Sequence, residues 1–472
     1  MLLNEIVKYN YENRPNRKYI YEKVNDKYKG ITFKSFISKV NYLAYYLLDN
    51  NLEKKNILII GKNSVNYMIA DLAVTCYVGV VVHVSKDLKE KELSEIISKL
   101  DVSAVIYDGD YFIDGVKEVC EDVKFICMNE FNKIYRKYKD KELFDFSYRD
   151  ENECVKIYLS SGTTGIPKSI MLSQKNILSG WDCLKRRADL NENDVCYLFL
   201  PLHHTYAGIY NFLYSLIGGF SIYLSTGIKN IANELQEVNP TIFCAVPMVY
   251  RMMYEKAGEH LKYAFGKNIK YMFSGGSKFP VEVKEAYRAC NLPIFEAYAL
   301  TETSASLCIA YLDDDINATG TVFENIEVII KNADDNGVGE IAVKGDNIFL
   351  GYYKNKELTD KVFDENGYFL TGDLGYKIDN KLYVVGRKKR VLLSENGENI
   401  YPEEIEIKLK DMCANITHVK IYLRDNKLFG EIYVNSEADI NSVVSKYNEE
   451  SQKKNIITDY VVIFDSLNTR LK

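Results

Sequence analysis

Residues 155–169 of the chain change abruptly from an apolar run to small polar residues. The run 155–159 has the composition of a buried β-strand. The glycines that follow it let the backbone approach a bound anion, the hydroxyls donate hydrogen bonds, and a single lysine brings positive charge to phosphate oxygens. The stretch therefore predicts a strand that ends in a phosphate-binding loop. The residues of this predicted loop are Ser160, Ser161, Gly162, Thr163, Thr164, Gly165 and Lys168.

Two other interpretations of this stretch fit less well. A Walker A loop would run from Gly162 to Ser169, but that motif requires glycine at the position that Pro167 occupies. A flexible linker would contain the same small residues, yet linkers do not usually begin on a buried strand. We therefore expect a phosphate loop of another kind than Walker A.

The segments before the loop alternate between helical and strand patterns. Apolar residues recur at helical spacing in 36–48, 65–77 and 88–100, and strand-like runs lie at 56–61, 80–84 and 104–107. Strands that alternate with helices pair in parallel and are covered by helices on both faces. The fold class predicted for the large N-terminal part is therefore α/β, with doubly wound and mostly parallel sheets.

Composition limits the classes of protein that this chain can belong to. At 472 residues, with 47% hydrophobic and 27% charged residues, the chain is globular and longer than one ordinary core requires. A net charge of −6 argues against a nucleic-acid partner. The ten cysteines form no C-x-x-C pair, and the N-terminus does not have the pattern of a signal peptide.

The longest apolar stretch, 68–84, contains Asp71 and predicts a core helix and strand rather than a membrane span. We expect a cytoplasmic protein without an integral membrane segment.

Further motifs follow the loop in a fixed order. The segment 295–303 reads FEAYALTET, 367–375 reads GYFLTGDLG, and 386–390 reads GRKKR. Together with Ser160–Lys168, these segments resemble the signature motifs of the adenylate-forming superfamily, which includes acyl-coenzyme A synthetases, luciferases and peptide-synthetase adenylation domains. The resemblance covers the chain from about residue 155 to its end and is closest to the fatty-acyl synthetases. Two positions depart from it, because Ser169 and Ala299 stand where the family has glycine.

The resemblance implies a role for each matching residue. Ser274, Gly275 and Gly276 would lie along the adenine, and Tyr298 would offer its ring to the base. Asp373 and Arg387 would contact the ribose or the phosphates, since a carboxylate can accept both ribose hydroxyls. The implied catalytic residues are Lys168, His204, Thr301, Glu302 and Lys472, of which His204 borders the substrate pocket and Glu302 is a hard oxygen ligand for Mg²⁺. The tail keeps Lys472 but lacks the glycine that the family has before this lysine.

The resemblance also implies the domain organisation. Residues 1–386 would form the large AMP-binding domain, which carries a small β subdomain around the alternating strands near 326–330 and 339–345. Residues 387–472 would form a small mobile α+β domain that swings about a hinge near Arg390 between two steps of the reaction.

The expected function is that of an ATP- and magnesium-dependent carboxylic-acid ligase. The acid would first form an acyl-adenylate, and a thiol of coenzyme A or of a carrier protein's phosphopantetheine would then take the acyl group. No acidic residue occurs in 201–207 to hold a substrate ammonium, and apolar residues follow at 209–216, so we expect a fatty or aryl acid. A stand-alone amino-acid adenylation domain and a non-catalytic AMP-binding protein remain the alternatives, and a carrier-protein ligase differs only in its thiol.

Overall fold

The computed structural model describes residues 1–109, 111, 113–144, 150–160, 167–310, 312, 314–393, 399–424, 427–451 and 453–464. Most of the predicted phosphate loop, Ser161 to Gly165, lies outside these ranges, and so does Lys472. Strand Cys154–Ser160, which leads into the loop, and strand Lys168–Ser173, which leaves it, are both described.

The strands are, in chain order, β1 (Lys18–Val24), β2 (Lys27–Thr32), β3 (Asn56–Ile60), β4 (Val80–His83), β5 (Val102–Tyr107), β6 (Lys124–Cys127), β7 (Cys154–Ser160), β8 (Lys168–Ser173), β9 (Val195–Leu198), β10 (Ser221–Leu224), β11 (Ile242–Ala245), β12 (Tyr271–Ser274), β13 (Ile294–Tyr298), β14 (Cys308–Ile309), β15 (Gly320–Val322), β16 (Glu327–Lys331), β17 (Gly339–Lys344), β18 (Gly351–Tyr352), β19 (Phe369–Ile378), β20 (Lys381–Arg387), β21 (Leu392–Leu393), β22 (Asn399–Ile400), β23 (Ile416–Arg424), β24 (Lys427–Val434) and β25 (Ile457–Phe464).

The α-helices are α1 (Leu3–Asn13), α2 (Phe33–Asp49), α3 (Val65–Ala73), α4 (Glu90–Lys99), α5 (Asp114–Val119), α6 (Phe131–Tyr138), α7 (Gln174–Lys185), α8 (Tyr214–Gly218), α9 (Ile231–Val238), α10 (Pro247–Ala257), α11 (Val281–Ala289), α12 (Lys356–Lys361), α13 (Pro402–Met412) and α14 (Ile440–Glu449). Two π-helical segments occur at Val74–Val78 and Tyr206–Leu213. Short 3₁₀ segments occur at Met128–Glu130, Ile228–Asn230, Gly258–Tyr263, Thr301–Thr303, Lys388–Arg390 and Lys453–Asn455.

The predicted α/β class with doubly wound sheets is confirmed. A seven-stranded sheet has the order β18-β8-β7-β4-β3-β5-β6, in which β7, β4, β3, β5 and β6 are parallel neighbours. Strand β3 is buried at all five positions, as expected for an apolar strand with both faces covered. Strands β8 and β18 add antiparallel neighbours at one edge.

A thirteen-stranded sheet runs in the order β16-β17-β19-β20-β15-β14-β13-β12-β11-β9-β10-β1-β2. Its central strands from β13 to β1 are parallel, and the strands from β14 to β16 are antiparallel. The strands that the sequence assigns to a small β subdomain, β16 and β17, therefore continue the parallel sheet through an unbroken ladder. This ladder brings β19 and β20 to the same sheet as β12 and β13.

A separate hydrophobic cluster forms the core of the C-terminal part. Strands β23, β24 and β25 make a three-stranded sheet, and α13 and α14 pack against it. The cluster's buried members all lie between Ile400 and Ile457, among them Leu409 and Ile432. The boundary at residue 386 and the hinge near Arg390 remain proposals.

The long apolar stretch 68–84 forms a helix and a strand, as predicted. It comprises the end of α3, the π-helical segment and β4. In the ranges that the structure describes, no helix combines the length and the apolar character that crossing a membrane requires.

Candidate functional site

The two strands that flank the predicted phosphate loop form one hairpin. Strands β7 and β8 are antiparallel neighbours, and Ser160 lies directly opposite Lys168 in their register. The two ends of the segment that joins β7 to β8 are therefore held next to each other, at the same end of this strand pair. Loop residues Ser161 to Gly165 themselves lie outside the described ranges.

Lys168 is linked to Glu302 through a tyrosine that the sequence analysis did not single out. The Lys168 ammonium donates to the Tyr352 hydroxyl at 3.3 Å and lies 5.0 Å from the centre of its ring. The Tyr352 hydroxyl in turn donates to Glu302 Oε1 at 3.0 Å. Burial, and secondly the negative charge of Glu302, raise the pKa of Tyr352, so the hydroxyl keeps its proton and acts as a donor to the carboxylate.

The fold explains how these three residues meet. Strand β18 pairs with β8, and this pairing sets Tyr352 opposite Ile170, two residues after Lys168. Glu302 lies in the 3₁₀ turn Thr301–Thr303 that follows β13, and its side chain is buried. The only sequence signal for Tyr352 is its place in the Gly-Tyr-Tyr segment 351–353, which carries no charge and no motif chemistry of its own.

A second group of polar residues surrounds Asp373. Tyr298 donates its hydroxyl to Asp373 Oδ2 at 2.5 Å, and the Arg387 Nε lies 2.8 Å from Asp373 Oδ1. The last pair follows from register, because Asp373 of β19 lies opposite Arg387 of β20. The Asp373 side chain is buried, whereas that of Arg387 is half exposed. The three predicted ribose and adenine contacts are thus adjacent.

Burial dominates the ionisation of this group. It raises the pKa of Asp373, while the Arg387 guanidinium and the Tyr298 hydroxyl oppose the increase. Burial, and secondly the charge of Asp373, also raise the pKa of Tyr298 well above its usual value. Tyr298 is therefore a neutral donor, and both Asp373 oxygens already have partners that a ligand hydroxyl can replace or share.

The predicted adenine segment lies at the carboxyl end of β12. Ser274 is buried, and its hydroxyl has no hydrogen-bond partner within the described part of the chain. Gly276 has a φ of +92°, a conformation that L side chains rarely adopt. The carboxyl ends of parallel strands are the usual ligand edge of such sheets, and β13 delivers Tyr298 to the same edge.

The predicted substrate-pocket residue His204 follows β9. Its side chain is exposed, and its ring centre lies 4.5 Å from that of the adjacent His203. Burial, and secondly the neighbouring His204, lower the pKa of His203 to about 4, so His203 is neutral at physiological pH. The apolar residues Ile209, Phe212 and Leu213 that follow are fully buried in the main core cluster. No contact joins His204 to Lys168 or Glu302 among the hydrogen bonds of the described residues.

The predicted hinge residue Arg390 is tied to the C-terminal helix α13. Its guanidinium lies 3.3 Å from Glu403 and 2.6 Å from Glu406. Glu406 also accepts the backbone N–H of Ile421 at 2.9 Å, which connects the helix to β23. Lys388, two residues earlier, pairs with Glu340 of β17 at 2.6 Å. The segment 388–390 is therefore held by the large sheet on one side and by α13 on the other.

Similarity to known proteins covers most of the chain. The sequence profile of the family described as AMP-binding enzyme matches residues 7–353. A long-chain-fatty-acid–CoA ligase of Rattus norvegicus is 25% identical over 474 aligned positions, which cover 84% of this chain and 71% of that protein. A 2-succinylbenzoate–CoA ligase of Oceanobacillus iheyensis is 31% identical over 256 positions, 52% of each chain.

Solved structures have the same architecture. The o-succinylbenzoate CoA synthetase of Bacillus subtilis, in complex with its acyl-adenylate intermediate, matches with a TM-score of 0.85 at 20% identity, covering 97% of this chain and 94% of that one. ATP-bound MatB from Rhodopseudomonas palustris matches with a TM-score of 0.86 at 20% identity, covering 98% and 95%. These similarities establish the fold of the chain.

Proposed function

Since the chain belongs to the AMP-binding enzyme family, we propose that it is an ATP-dependent carboxylic-acid ligase that forms an acyl-adenylate and then an acyl thioester. The observation that carries the proposal is the position of Lys168, Tyr352 and Glu302 in one hydrogen-bonded row next to the loop hairpin. The Lys168 ammonium can bind the phosphate oxygens of ATP, and the buried Glu302 carboxylate can bind the divalent ion that accompanies them. The neutral Tyr352 hydroxyl lies between these two charged groups.

In the first half-reaction, a carboxylate oxygen of the acid attacks the α-phosphorus of ATP. The bond to the β-phosphate breaks, pyrophosphate leaves, and a mixed anhydride of the acid and AMP forms. We assign to Lys168 the neutralisation of phosphate oxygens, with Thr163, Thr164 and Thr301 as hydroxyl donors. Such groups accelerate the reaction by orientation and by charge stabilisation, without a covalent enzyme intermediate.

The residues fit a magnesium ion and the nucleoside. Mg²⁺ commonly binds to one or two carboxylates together with substrate phosphates, and Glu302 is a buried carboxylate of this kind. When bound, the ion supplies neutralisation of the phosphate charge. The Tyr298–Asp373–Arg387 group would hold the nucleoside, with Asp373 accepting the ribose hydroxyls, and Ser274 to Gly276 would line the base.

In the second half-reaction, a thiol attacks the acyl carbonyl and AMP leaves. We propose coenzyme A as the first acceptor to test, because the relatives reported above are named as CoA ligases. A carrier-protein phosphopantetheine offers the same thiol and is the second acceptor to test. The relatives are named for long-chain fatty acids and for 2-succinylbenzoate, and we propose a fatty or aryl acid as the substrate.

The proposal is tested by a pyrophosphate-release screen over fatty, aryl and α-amino acids, with and without coenzyme A or a phosphopantetheinylated carrier protein. We expect pyrophosphate only with magnesium and a fatty or aryl acid, and thioester only when a thiol is added. Release of ADP and orthophosphate would contradict the proposal. Preferential activation of an α-amino acid would contradict the proposed substrate class.

A further inference from the structure

A fully buried charged cluster lies at β7, the strand that leads into the predicted phosphate loop. It consists of Lys156 on β7, Asp71 on α3 and His83 at the end of β4, whose exposed fractions are 0%, 0% and 1%. The Lys156 ammonium forms an ion pair with Asp71 Oδ1 and lies 3.3 Å from His83 Nε2. None of these three residues belongs to the site described above.

Neighbouring hydroxyls extend the cluster's hydrogen bonding, although Asp71 Oδ2 has no hydrogen-bond partner among the described residues. Thr75 donates its hydroxyl to Asp71 Oδ1 at 2.9 Å. Burial lowers the pKa of His83 well below its usual value, so the ring is neutral. Its Nε2 faces the Lys156 ammonium and must accept, and the remaining ring proton is therefore on Nδ1. That nitrogen lies 3.1 Å from the Tyr67 hydroxyl, to which it donates.

Stability alone does not account for this cluster. Taking two charges out of water costs more than their attraction returns in many proteins, and apolar residues of similar volume often serve at least as well. Lys156 interrupts an otherwise apolar strand, between Val155 and Ile157. The cluster does, however, link three separate elements, because its contacts join Lys156 of β7 to Asp71 of α3 and to His83 of β4.

The cluster lies on the same face of β7 as Ser160, the residue at which the predicted phosphate loop begins. Side chains alternate along a strand, so Lys156, Tyr158 and Ser160 share one face of β7, and Ser160 begins the predicted phosphate loop. His83 lies opposite Tyr158 in the parallel pairing of β4 with β7, and their rings stack with centres 4.4 Å apart. The cluster therefore holds residues 156–160, the last five residues of β7 before the loop.

Tyr158, which stacks on His83, also contacts the segment 202–208 that carries His204. The Tyr158 hydroxyl is buried against Gly208, where an added Cβ would come within 2.5 Å of it and within 2.8 Å of the Leu202 carbonyl oxygen. Any larger residue at 208 would displace the tyrosine or the segment. The buried contacts of Lys156, His83 and Tyr158 therefore connect the end of β7, where the phosphate loop begins, with the segment 202–208.

We propose that the Lys156–Asp71–His83 cluster positions the end of β7, where the phosphate loop begins, and the segment 202–208 relative to each other for the adenylation step. Lys156 is in this sense a positioning residue, since it acts through Tyr158 and Ser160 and touches no substrate. The inference rests on the proposed function, because adenylation is the step that needs both the loop and the acid. Thiolysis of a preformed acyl-adenylate involves no pyrophosphate, so it should depend less on the position of the phosphate loop.

The main test replaces the charged pair by apolar residues of similar size, Lys156→Met together with Asp71→Leu. We expect a melting temperature equal to or above that of the parent protein, because the buried ions are removed as a pair. We expect kcat/KM for ATP in pyrophosphate release to fall about tenfold, as for a misplaced catalytic loop. The rate of thiolysis of a supplied acyl-adenylate should change less than twofold. Parent-like adenylation in this double variant would overturn the inference.

A milder pair of variants decides the question if the double variant does not fold. Tyr67→Phe removes only the acceptor of the His83 Nδ1 proton, and we expect a threefold to tenfold higher KM for ATP. Tyr287→Phe is the matched control, because it removes a hydroxyl that is equally buried and donates to the Tyr250 carbonyl oxygen at 3.0 Å in another core cluster. Equal KM values for the two variants would overturn the inference.

The inference and the proposed function fail in different ways. If the parent protein releases no pyrophosphate with any acid, the proposed function is wrong, and the cluster is then tested by calorimetric binding of ATP to the parent protein, the double variant and Tyr67→Phe. Weaker ATP binding in the variants, at a melting temperature no lower than that of the parent protein, supports the positioning role. Unchanged ATP binding overturns it.

Discussion

Arg251 of α10 lies opposite Asp411 of α13, with 3.6 Å between the guanidinium Nη2 and the carboxylate Oδ1. This pair joins the large N-terminal part of the chain to the C-terminal part. The other charged residues that act on Asp411 are Glu282 of α11 and Lys278, just before that helix. The Arg251–Asp411 pair is therefore one of the contacts that hold the C-terminal part in this conformation, together with the hydrogen bond from Tyr401 to Asp334.

We predict that docking of the C-terminal part becomes more favourable as the pH falls, although the Arg251–Asp411 ion pair itself is then lost. Burial raises the pKa of Asp411 to about 6, against the opposing effect of Arg251. The docked state thus binds a proton more readily than an undocked Asp411, and docking gains stability as the pH decreases from above 6 towards the ordinary carboxyl range. Asp411→Asn imitates the protonated form, so it should protect α13 from hydrogen exchange more than the parent protein does at pH 7.5.

At pH 5 the difference in protection between the parent protein and Asp411→Asn should be smaller than at pH 7.5, because protonation of docked Asp411 has then restored part of the docking stability. Glu357→Gln, on the exposed helix α12, is a control that should match the parent protein at both pH values. Weaker protection in Asp411→Asn at pH 7.5 would mean that the attraction of Arg251 outweighs the burial cost.

The second prediction concerns recognition of the ribose. Asp373→Asn should raise the KM for ATP about tenfold, because a charge-assisted hydrogen bond contributes roughly 1.5–3 kcal/mol. The parent protein should prefer ATP over 2′-deoxy-ATP, and the variant should lose most of this preference. Asp315→Asn is the matched control, since Asp315 is an exposed partner of the Tyr383 hydroxyl. An unchanged preference between the two nucleotides in Asp373→Asn would show that Asp373 does not contact the ribose.

The third prediction concerns the magnesium ligand. Glu302→Gln keeps the shape of the side chain and an acceptor for the Tyr352 hydroxyl, but it removes the negative charge. We expect the Mg²⁺ concentration for half-maximal pyrophosphate release to rise about tenfold, with partial recovery at high Mg²⁺. A magnesium titration of the parent protein and the variant measures this change. The same titration curve for both proteins would mean that another residue binds the ion.

The fourth prediction separates the two half-reactions through Lys472. We propose that Lys472 is carried by a mobile C-terminal domain and reaches the α-phosphate only in one docking position, so Lys472→Ala should depress acyl-adenylate formation far more than thiolysis of a supplied acyl-adenylate. Loss of one such contact to a developing charge costs on the order of 10²-fold in rate. Single-turnover assays of each step measure the two effects. Normal adenylation by the variant would assign the role to a different lysine.

Sequence patterns predicted much of the fold because they report local properties. The apolar run at β3 and the helical spacing in α2 and α4 predicted these elements within a few residues of their observed bounds. The sequence analysis did not include the N-terminal hairpin of β1 and β2 or the edge strand β18. Strands β1 and β2 are half exposed, and β18 has only two residues and pairs with the distant β8, so no local periodicity indicates these strands.

The amino-acid sequence by itself determined the class of the protein, through the order of the motifs around Lys168, Glu302 and Asp373 and through the alternation of strands and helices. Only the tertiary structure decided which residues meet. Tyr352 reaches Lys168 because β18 pairs with β8, and Arg387 reaches Asp373 because β20 pairs with β19. Lys156, Asp71 and His83 form a cluster because three separate elements meet there. The physical reason is that motif chemistry depends on neighbours along the chain, whereas burial, ion pairing and hydrogen bonding depend on strand register and packing between distant segments.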